Sequence, residues 1–414
     1  MSRTLIIGGS HAAVAAAGAL RQYAPEEEIV VVSEEDELPY QRPPLSKEYM
    51  AQAMSLERLR LRPLEWYDRS NVELRLGAAV TMVERERKTV LLADGCELAY
   101  DKLLLATGAK ARRLPADTGG DLPNVRVMRT LADANWLMSE MKADRRLVVV
   151  GGGYIGLEAA AEAAKKGLRV TVIEARERIL KRVACEETAN AFRRLHSDHD
   201  VEILENAQVE RFHEENGQAA GLRLKDGREL PCGLVIAGIG IDPNTDLAKA
   251  AGLDVSDGIV VDDHCRTSDP AIFAAGDCTL LPFQGMPTRL ESVQNAQDQA
   301  TVAAANIAGE AISYKPHPWF WSDQYDVKLQ IAGFHRGYDS VATRPGKREG
   351  SLSVFYFRQE RLIAVDSLND PSTYVAVRKL LEANASITRA EIVSGTVDLR
   401  ERAKALTAER SAAE

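Results

Sequence analysis

LVVVGGGYIGLEAAAEAAKKGLRVTVIE, residues 147–174, decides the fold. The apolar, β-branched run at 147–150 predicts a strand buried on both faces. Gly151, Gly153 and Gly156 then fill the three glycine positions of G-x-G-x-x-G. The first makes a tight turn, the second lets backbone approach a pyrophosphate, and the third lets a helix pack close to a sheet. The helix that follows turns its N-terminal amides toward those phosphates. A second strand over 170–173 ends at Glu174, an acid about 20 residues past the glycines, where it meets ribose hydroxyls in dinucleotide sites. A plain glycine turn in a βαβ unit would not need that acid.

A second fingerprint lies at the start of the chain. A strand over 4–7 precedes Gly8, Gly9, Ser10, His11, Ala12 and Ala13. Ser10 stands where the middle glycine belongs, and its hydroxyl could donate to phosphate. An alanine-rich helix over 14–23 and a strand over 29–32 lead to Glu34, the expected ribose ligand of this first nucleotide or, alternatively, a solvated acid at a strand end. Two such units form a long-period repeat. Two nucleotide sites in one chain suggest that one nucleotide stays while the other comes and goes, with FAD as resident and NAD(P)H as visitor.

Other stretches fill the frame. LPYQRPPLSKEYM, 38–50, contains Pro43-Pro44, an extended turn, and Ser46, a candidate cap for a short helix from Lys47. Such a rigid loop either presents Arg42 and Lys47 to a flavin edge or is a surface loop with solvated bases. Buried strands over 102–108 and 234–240 end in small residues and glycines and mirror each other. IFAAGD, 272–277, places Asp277 at the carboxyl end of a strand, in reach of ribityl hydroxyls. A helix from about 292 to 308 follows, its N-terminus near Val293 suited to charge on a reduced flavin. From Pro318 a β-rich segment begins with PWFWSDQY. Its strand-like runs lie at 328–332, 339–343, 351–357 and 362–368, with helical segments near 374–382 and 397–408. Clustered tryptophans are usually core; Asp323 and Gln324 interrupt the run, so one indole could face the flavin instead.

The bulk numbers narrow the class. The chain has 414 residues, 45% hydrophobic and 27% charged, and a net charge of -9, which disfavours a nucleic-acid partner. Its five cysteines show no C-x-x-C spacing, which suggests neither a metal site nor a thioredoxin-like pair. With the first strand starting at Thr4 and no long apolar run, the expectation is a soluble cytoplasmic protein without signal peptide or membrane span.

PYQRPPLSK, LLLATGA, RTLADA, GGGYIGLE, LVIAGIGIDPN, TSDPAIFAAGDC, ESVQNAQDQA and PWFWSDQY occur in this order along the chain. In them the sequence resembles the FAD-dependent ferredoxin reductases of the putidaredoxin reductase type, which serve cytochrome P450 and ring-hydroxylating dioxygenase systems. The resemblance implies an α/β fold: two Rossmann-like FAD- and NAD-binding domains, as in glutathione reductase, plus a small α+β C-terminal domain. The FAD domain would span 1–110 and 242–319, the NAD domain 111–241 and the C-terminal domain 320–414. It implies FAD contacts at Gly8, Ala12, Glu34, Lys47, Val80, Arg129, Asp277 and Val293. NADH contacts are implied at Gly151, Gly153, Ile155, Gly156, Glu158 and Glu174; Ser10, Arg42, Ala106, Gly108 and Gly240 are further candidate cofactor-binding residues. Lys47 would lie by the reactive flavin edge near Glu158, with Trp321 flanking the nicotinamide and acceptor side. These three are the candidate catalytic residues.

The implied activity is NADH-dependent reduction of a [2Fe-2S] ferredoxin, by a monomer or weak homodimer. Residues 34–57 contain no cysteine, which argues against disulfide reduction by the usual route. Glu174 favours NADH, whereas Arg176 and Arg178 could accept a 2′-phosphate. A rubredoxin reductase, an NADH oxidase and an NADH-sensing flavoprotein are the alternatives. Lys315, Lys328, Arg336, Arg344, Lys347 and Arg348 could steer an acidic carrier or be plain solvated surface.

Overall fold

The structure, a computed structural model, describes residues 2–413. The chain divides into two compact units, one of Met1–Pro44, Gln52–Lys110 and Ile241–Pro316, the other of Leu45–Ala51, Ala111–Gly240 and His317–Glu414. The segments expected to bind NAD and to form the C-terminal domain lie together in the second unit. The short piece Leu45–Ala51, expected in the first domain, joins them there.

In the first unit five strands form one sheet, in the order Ile272–Ala274, Lys102–Leu105, Arg3–Ile7, Glu28–Val32, Val72–Arg75. Every neighbour pair is parallel. The apolar runs read at 4–7, 29–32, 102–108 and 272–277 supply four of these strands, because a parallel sheet is covered on both faces; Val72–Arg75, half polar at the sheet edge, is the fifth and carries no such run. The helices His11–Tyr23 and Val293–Ile307 bury their alanines, including Ala13, Ala17, Ala300 and Ala304. A three-stranded antiparallel ribbon, Val80–Glu84, Thr89–Leu92 and Glu97–Ala99, interrupts the connection from Val72–Arg75 to Lys102–Leu105.

The second unit repeats this plan. Its parallel sheet runs Glu202–Leu204, Arg169–Ile173, Arg146–Val150, Leu234–Ala237, Val125–Val127. The ribbon Val209–Glu215, Gln218–Leu224, Glu229–Pro231 sits at the matching point of the chain. The repeat is imperfect at one edge. Here the fifth strand comes from upstream of the glycine loop, whereas the first unit takes its fifth from far downstream.

From Trp319 the same unit continues as an antiparallel sheet in the order Trp319–Gln324, Val327–Gly333, Arg361–Leu368, Leu352–Arg358, Ser340–Pro345. The four runs expected as strands are strands, and the tryptophan motif is a fifth, at the edge. Helix Pro371–Glu382 starts at Asp370, whose side chain accepts from Thr373 N, with proline at the first helical position. The helix Arg389–Ser394 was not anticipated. Its six residues are too few to show a period, although Thr388 and Glu391 form a capping box. Among the described residues no helix is long and apolar enough to cross a membrane.

A buried polar joint links helix Glu186–Ser197 to this sheet. Thr188 Oγ1 donates to Asp366 Oδ2 at 2.7 Å, the Tyr356 hydroxyl donates to the same oxygen, and Cys185 N donates to Tyr356 at 3.1 Å. Asp366 is 0% exposed, and burial pushes its carboxyl up to about 6 while Tyr356 and Thr188 pull it down. The folded state then holds a proton that the unfolded state has released. This contribution to stability is complete below the ordinary aspartate pKa of about 4 and is lost as pH rises through the folded value. The shift is worth on the order of 3 kcal/mol. Asp366→Asn is expected to flatten the pH dependence of urea denaturation between pH ~4 and ~7; a slope like that of the parent would mean another group carries it.

Candidate nucleotide and ion-pair sites

Parallel pairing brings the ends of the strands Arg3–Ile7, Lys102–Leu105 and Ile272–Ala274 to one edge of the first sheet. Gly8, Ala106, Gly108 and Asp277 follow those ends directly, at the carboxyl edge where α/β sheets take ligands. Gly8 has φ +129°, and a Cβ there would stand 2.1 Å from the Ala106 carbonyl oxygen. Ser10 stands at the N-cap of the first helix with φ -140° and ψ -157°, an extended conformation open to any residue, and its side chain makes no capping bond. Glu34 is exposed at the end of the second strand. Its neighbour Glu35 is tied to the Tyr40 hydroxyl and to Arg42 Nη2 at 2.5 Å, so Arg42 is held by an acid the sequence did not single out. Val80 opens the ribbon, half-buried, opposite Leu92. Val293 begins its helix as expected, with Ser292 Oγ accepting from Asn295 N.

The second glycine loop shows three distinct environments. A Cβ on Gly151, at φ +111°, would lie 2.3 Å from the Gly238 carbonyl oxygen, and one on Gly156 would lie 2.2 Å from that of Gly151. Around Gly153 nothing comes within 4 Å. Two glycines therefore close the turn and the helix contact, while the middle one faces open space. Ile155, in the first turn of helix Tyr154–Lys165, is 41% exposed although aliphatic. An open glycine beside bare helix amides and an uncovered aliphatic side chain fit the pyrophosphate and flank of a dinucleotide.

Glu174 spans the loop mouth, accepting from Gly152 N and Arg176 N, each at 2.8 Å. Gly240, at φ +111°, follows the adjacent strand, and its carbonyl accepts from Arg112 N at 3.0 Å. Arg178 corrects an expectation. It is buried, and its guanidinium donates to the carbonyls of Ile179 and Ala184, which removes it as a receptor for a 2′-phosphate. Glu205 completes the support by accepting from Ile179 N and pairing with Arg193 at 2.8 Å. Glu205 has no local sequence signal because it closes the loop from 26 residues away, and Arg178 has none because its partners are backbone carbonyls of its own loop. Arg129 lies between strand Val125–Val127 and the cap Thr130, its backbone N–H donating to Asp133 at 3.1 Å.

In this unit Glu158 is a second focus, 3% exposed on the same helix. Lys47 Nζ approaches its Oε2 at 2.9 Å, Ser46 Oγ donates to Oε2 at 2.7 Å, and Ser322 Oγ donates to Oε1 at 2.7 Å. Burial raises the Glu158 carboxyl above its ordinary range, and Lys47 and the two serines oppose that shift. Lys47 and Glu158 are thus brought together, as expected. Ser46 is a correction: Pro43–Ser46 is a 3-10 turn, no helix starts at Lys47, and the hydroxyl serves the carboxylate. A hydroxyl proton given to a buried carboxylate makes a charge-assisted bond, roughly twice as strong as one between neutral groups. Ser322 lies on the edge strand Trp319–Gln324, where alternation turns Phe320, Ser322 and Gln324 to one face and Trp319, Trp321 and Asp323 to the other. Phe320 stacks at 5.2 Å on Tyr154, and Trp321 is half-buried beside Trp319, ring centres 5.6 Å apart.

Known proteins match this arrangement. The pyridine nucleotide-disulphide oxidoreductase model covers residues 2–300, and the reductase C-terminal model covers 319–403. Rhodocoxin reductase of Rhodococcus erythropolis is 40% identical over 96% of this chain and 93% of its own length. Putidaredoxin reductase of Pseudomonas putida is 39% identical over 99% and 98%. The reductase in the crystal structure of the covalent putidaredoxin reductase–putidaredoxin complex superposes with a TM-score of 0.94 at 38% identity, covering 98% of this chain and 99% of that one. The five cysteines here are all free, four of them buried. With two glycine-loop sheets, the nucleotides FAD and NAD(P)H that its relatives use, and a matching C-terminal sheet, the chain belongs to the pyridine nucleotide-disulphide oxidoreductase family, as an FAD-dependent ferredoxin reductase of the putidaredoxin reductase type.

Proposed function

We propose that this chain draws electrons from NADH and delivers them one at a time to a [2Fe-2S] ferredoxin that feeds a cytochrome P450 or ring-hydroxylating oxygenase. The carrying observation is a repeated glycine-loop sheet in a chain with no cysteine over residues 34–57, which supports two nucleotides and argues against the usual thiol relay. When bound, FAD supplies the conversion between a hydride pair and single electrons. The residues around it need only bind, orient and exclude water. Gly8, Ala106, Gly108, Asp277 and the Val293 helix start would hold FAD. Gly153, Ile155 and Glu174 would hold NADH. Lys47 would meet the flavin edge as a fixed cation whose charge Glu158 balances, with Trp321 flanking the nicotinamide. Free thiols fit a reducing cytoplasm, and the working form would be a monomer or weak dimer.

A steady-state assay with NADH, reading cytochrome c reduction with and without a [2Fe-2S] ferredoxin, tests this reading. Steep dependence on ferredoxin is expected; a rate that responds only to rubredoxin would reassign the acceptor. Cofactor choice is tested at Glu174. Its carboxylate would repel a 2′-phosphate, and of the two arginines only Arg176 remains available beside it. Glu174→Ser is expected to raise the NADPH to NADH ratio of kcat/KM by about tenfold, the scale of one charge repulsion near a surface. An unchanged ratio would remove Glu174 from selectivity.

A further inference from the structure

Behind Glu158 runs a line of buried polar groups that the electron-transfer chemistry does not itself require. Ser322 Oγ donates to Glu158 Oε1 at 2.7 Å. Gln324 Nε2 lies 3.1 Å from Ser322 Oγ, and Gln324 Oε1 lies 2.8 Å from His196 Nε2. His196 Nδ1 faces the Tyr325 hydroxyl at 3.5 Å, and Tyr325 stacks at 3.7 Å on His199. Ser322 and His196 are 0% exposed and Gln324 is 1% exposed. Buried groups of this kind are costly unless every donor finds an acceptor.

The charge on Glu158 dictates the direction of every bond in the line. An ionised carboxylate only accepts, so the single Ser322 proton points to it. Ser322 Oγ must then receive from Gln324, which assigns the amide nitrogen to that side. The amide oxygen is left for His196, which must carry its proton on Nε2. Burial pushes the His196 imidazole down to about 4, so it is neutral and one tautomer suffices. Tyr325 can then donate to the bare Nδ1. An amide does not pass protons readily, so the line orients rather than conducts.

We propose that Gln324 and His196 are positioning residues: through Ser322 they form a one-directional chain of donors that holds Glu158 charged against Lys47, and the proton on His196 follows the charge on Glu158. Its relevance to catalysis rests on the reading that Lys47 and Glu158 serve the flavin. The charged and titratable groups around Glu158 are few. Lys47 comes from the segment Leu45–Ala51, and Asp323, itself raised by burial and close to Lys47 and Glu48, comes from the edge strand. Tyr154 lies one turn before it on the same helix, and Glu162, paired with Lys165, one turn after.

The first test is structural and independent of turnover. In the FAD-loaded protein labelled with 15N-histidine, the His196 signal, assigned by its loss in His196→Asn, should show the Nε2–H tautomer. In Glu158→Gln the new carbonyl should settle on Lys47 and Ser46. Its NH2 then donates to Ser322, the chain reverses, and His196 should switch to Nδ1–H. The same tautomer in both proteins, or Nδ1–H in the parent, overturns the proposal.

The second test is kinetic. Ser322→Ala and Gln324→Leu remove donors from the charged form. Each should move the acid-side fall in the rate of flavin reduction by NADH about one pH unit toward neutral, and the double variant no farther. Where Glu158→Gln departs from the parental profile, no movement in Ser322→Ala, the smaller change and the safer for folding, overturns the proposal. Glu158→Gln separates the two layers: a parental rate and pH profile there would sink the catalytic reading of Glu158, while the tautomer switch still decides the chain.

Discussion

Lys47→Met is expected to destabilise the folded protein by about 3–5 kcal/mol at pH ~8, and by less at pH ~6. Glu158 is nearly excluded from water, and Lys47 Nζ is the cation at 2.9 Å from it. Removing that cation leaves a carboxylate that can escape its cost only by taking a proton. Burial already raises the Glu158 carboxyl, and loss of Lys47, which opposes that shift, raises it further. A carboxyl raised in the folded state favours folding below its unfolded pKa and loses that contribution as pH climbs through the folded value. The variant should therefore regain stability as the medium is acidified. Urea denaturation of Lys47→Met, Glu158→Gln and the double variant forms the cycle that checks it. The double variant should recover most of the loss; if it is as unstable as the sum of the singles, the pair is not the source.

The glycine loops give the largest functional effect. Gly151→Ala should yield a yellow protein that NADH reduces about a hundredfold more slowly than the parent. The methyl would enter at 2.3 Å from the Gly238 carbonyl on a residue at φ +111°, so the loop must shift and its helix start with it. A displacement on the order of 1 Å is enough to cost about a hundredfold in rate. Gly8→Ala should show the other phenotype. Its methyl would stand 2.1 Å from the Ala106 carbonyl in the first unit, so the protein should purify with little flavin. Gly153→Ala completes the set. With nothing within 4 Å, its melting temperature should match the parent while KM for NADH rises. Flavin absorbance, thermal unfolding and stopped-flow bleaching read all three. A Gly153→Ala protein that binds NADH like the parent would show that the middle position does not meet the phosphates.

Much of the second site could be read directly because its parts are close in sequence. Gly151, Gly153, Gly156 and Glu174 lie within one βαβ unit, where strand and helix periods place them without help from the rest of the chain. The backbone at Ser10 is extended and tolerates a side chain, a conformation the sequence does not display. The roles of Ser46, Ser322, Gln324 and His196 could not be read. Each is an ordinary polar residue locally, and its partner lies 112, 164, 2 and 128 positions away. Even the short separation of Gln324 from Ser322 has no meaning until the edge strand turns both to the same face.

By itself the sequence determined two nucleotide-binding sheets, their glycine loops, the acid at the end of the second and a β-rich carboxy-terminal part. These follow from steric and periodic rules acting over fewer than about 30 residues. Tertiary structure alone decided which charges are real partners. It took Arg178 out of the ribose pocket and into the loop scaffold, gave Arg42 to Glu35, and closed three segments around Glu158. Sequence lists ionisable side chains, but burial fixes their energies, and burial is created only when distant segments exclude water from the same few ångströms.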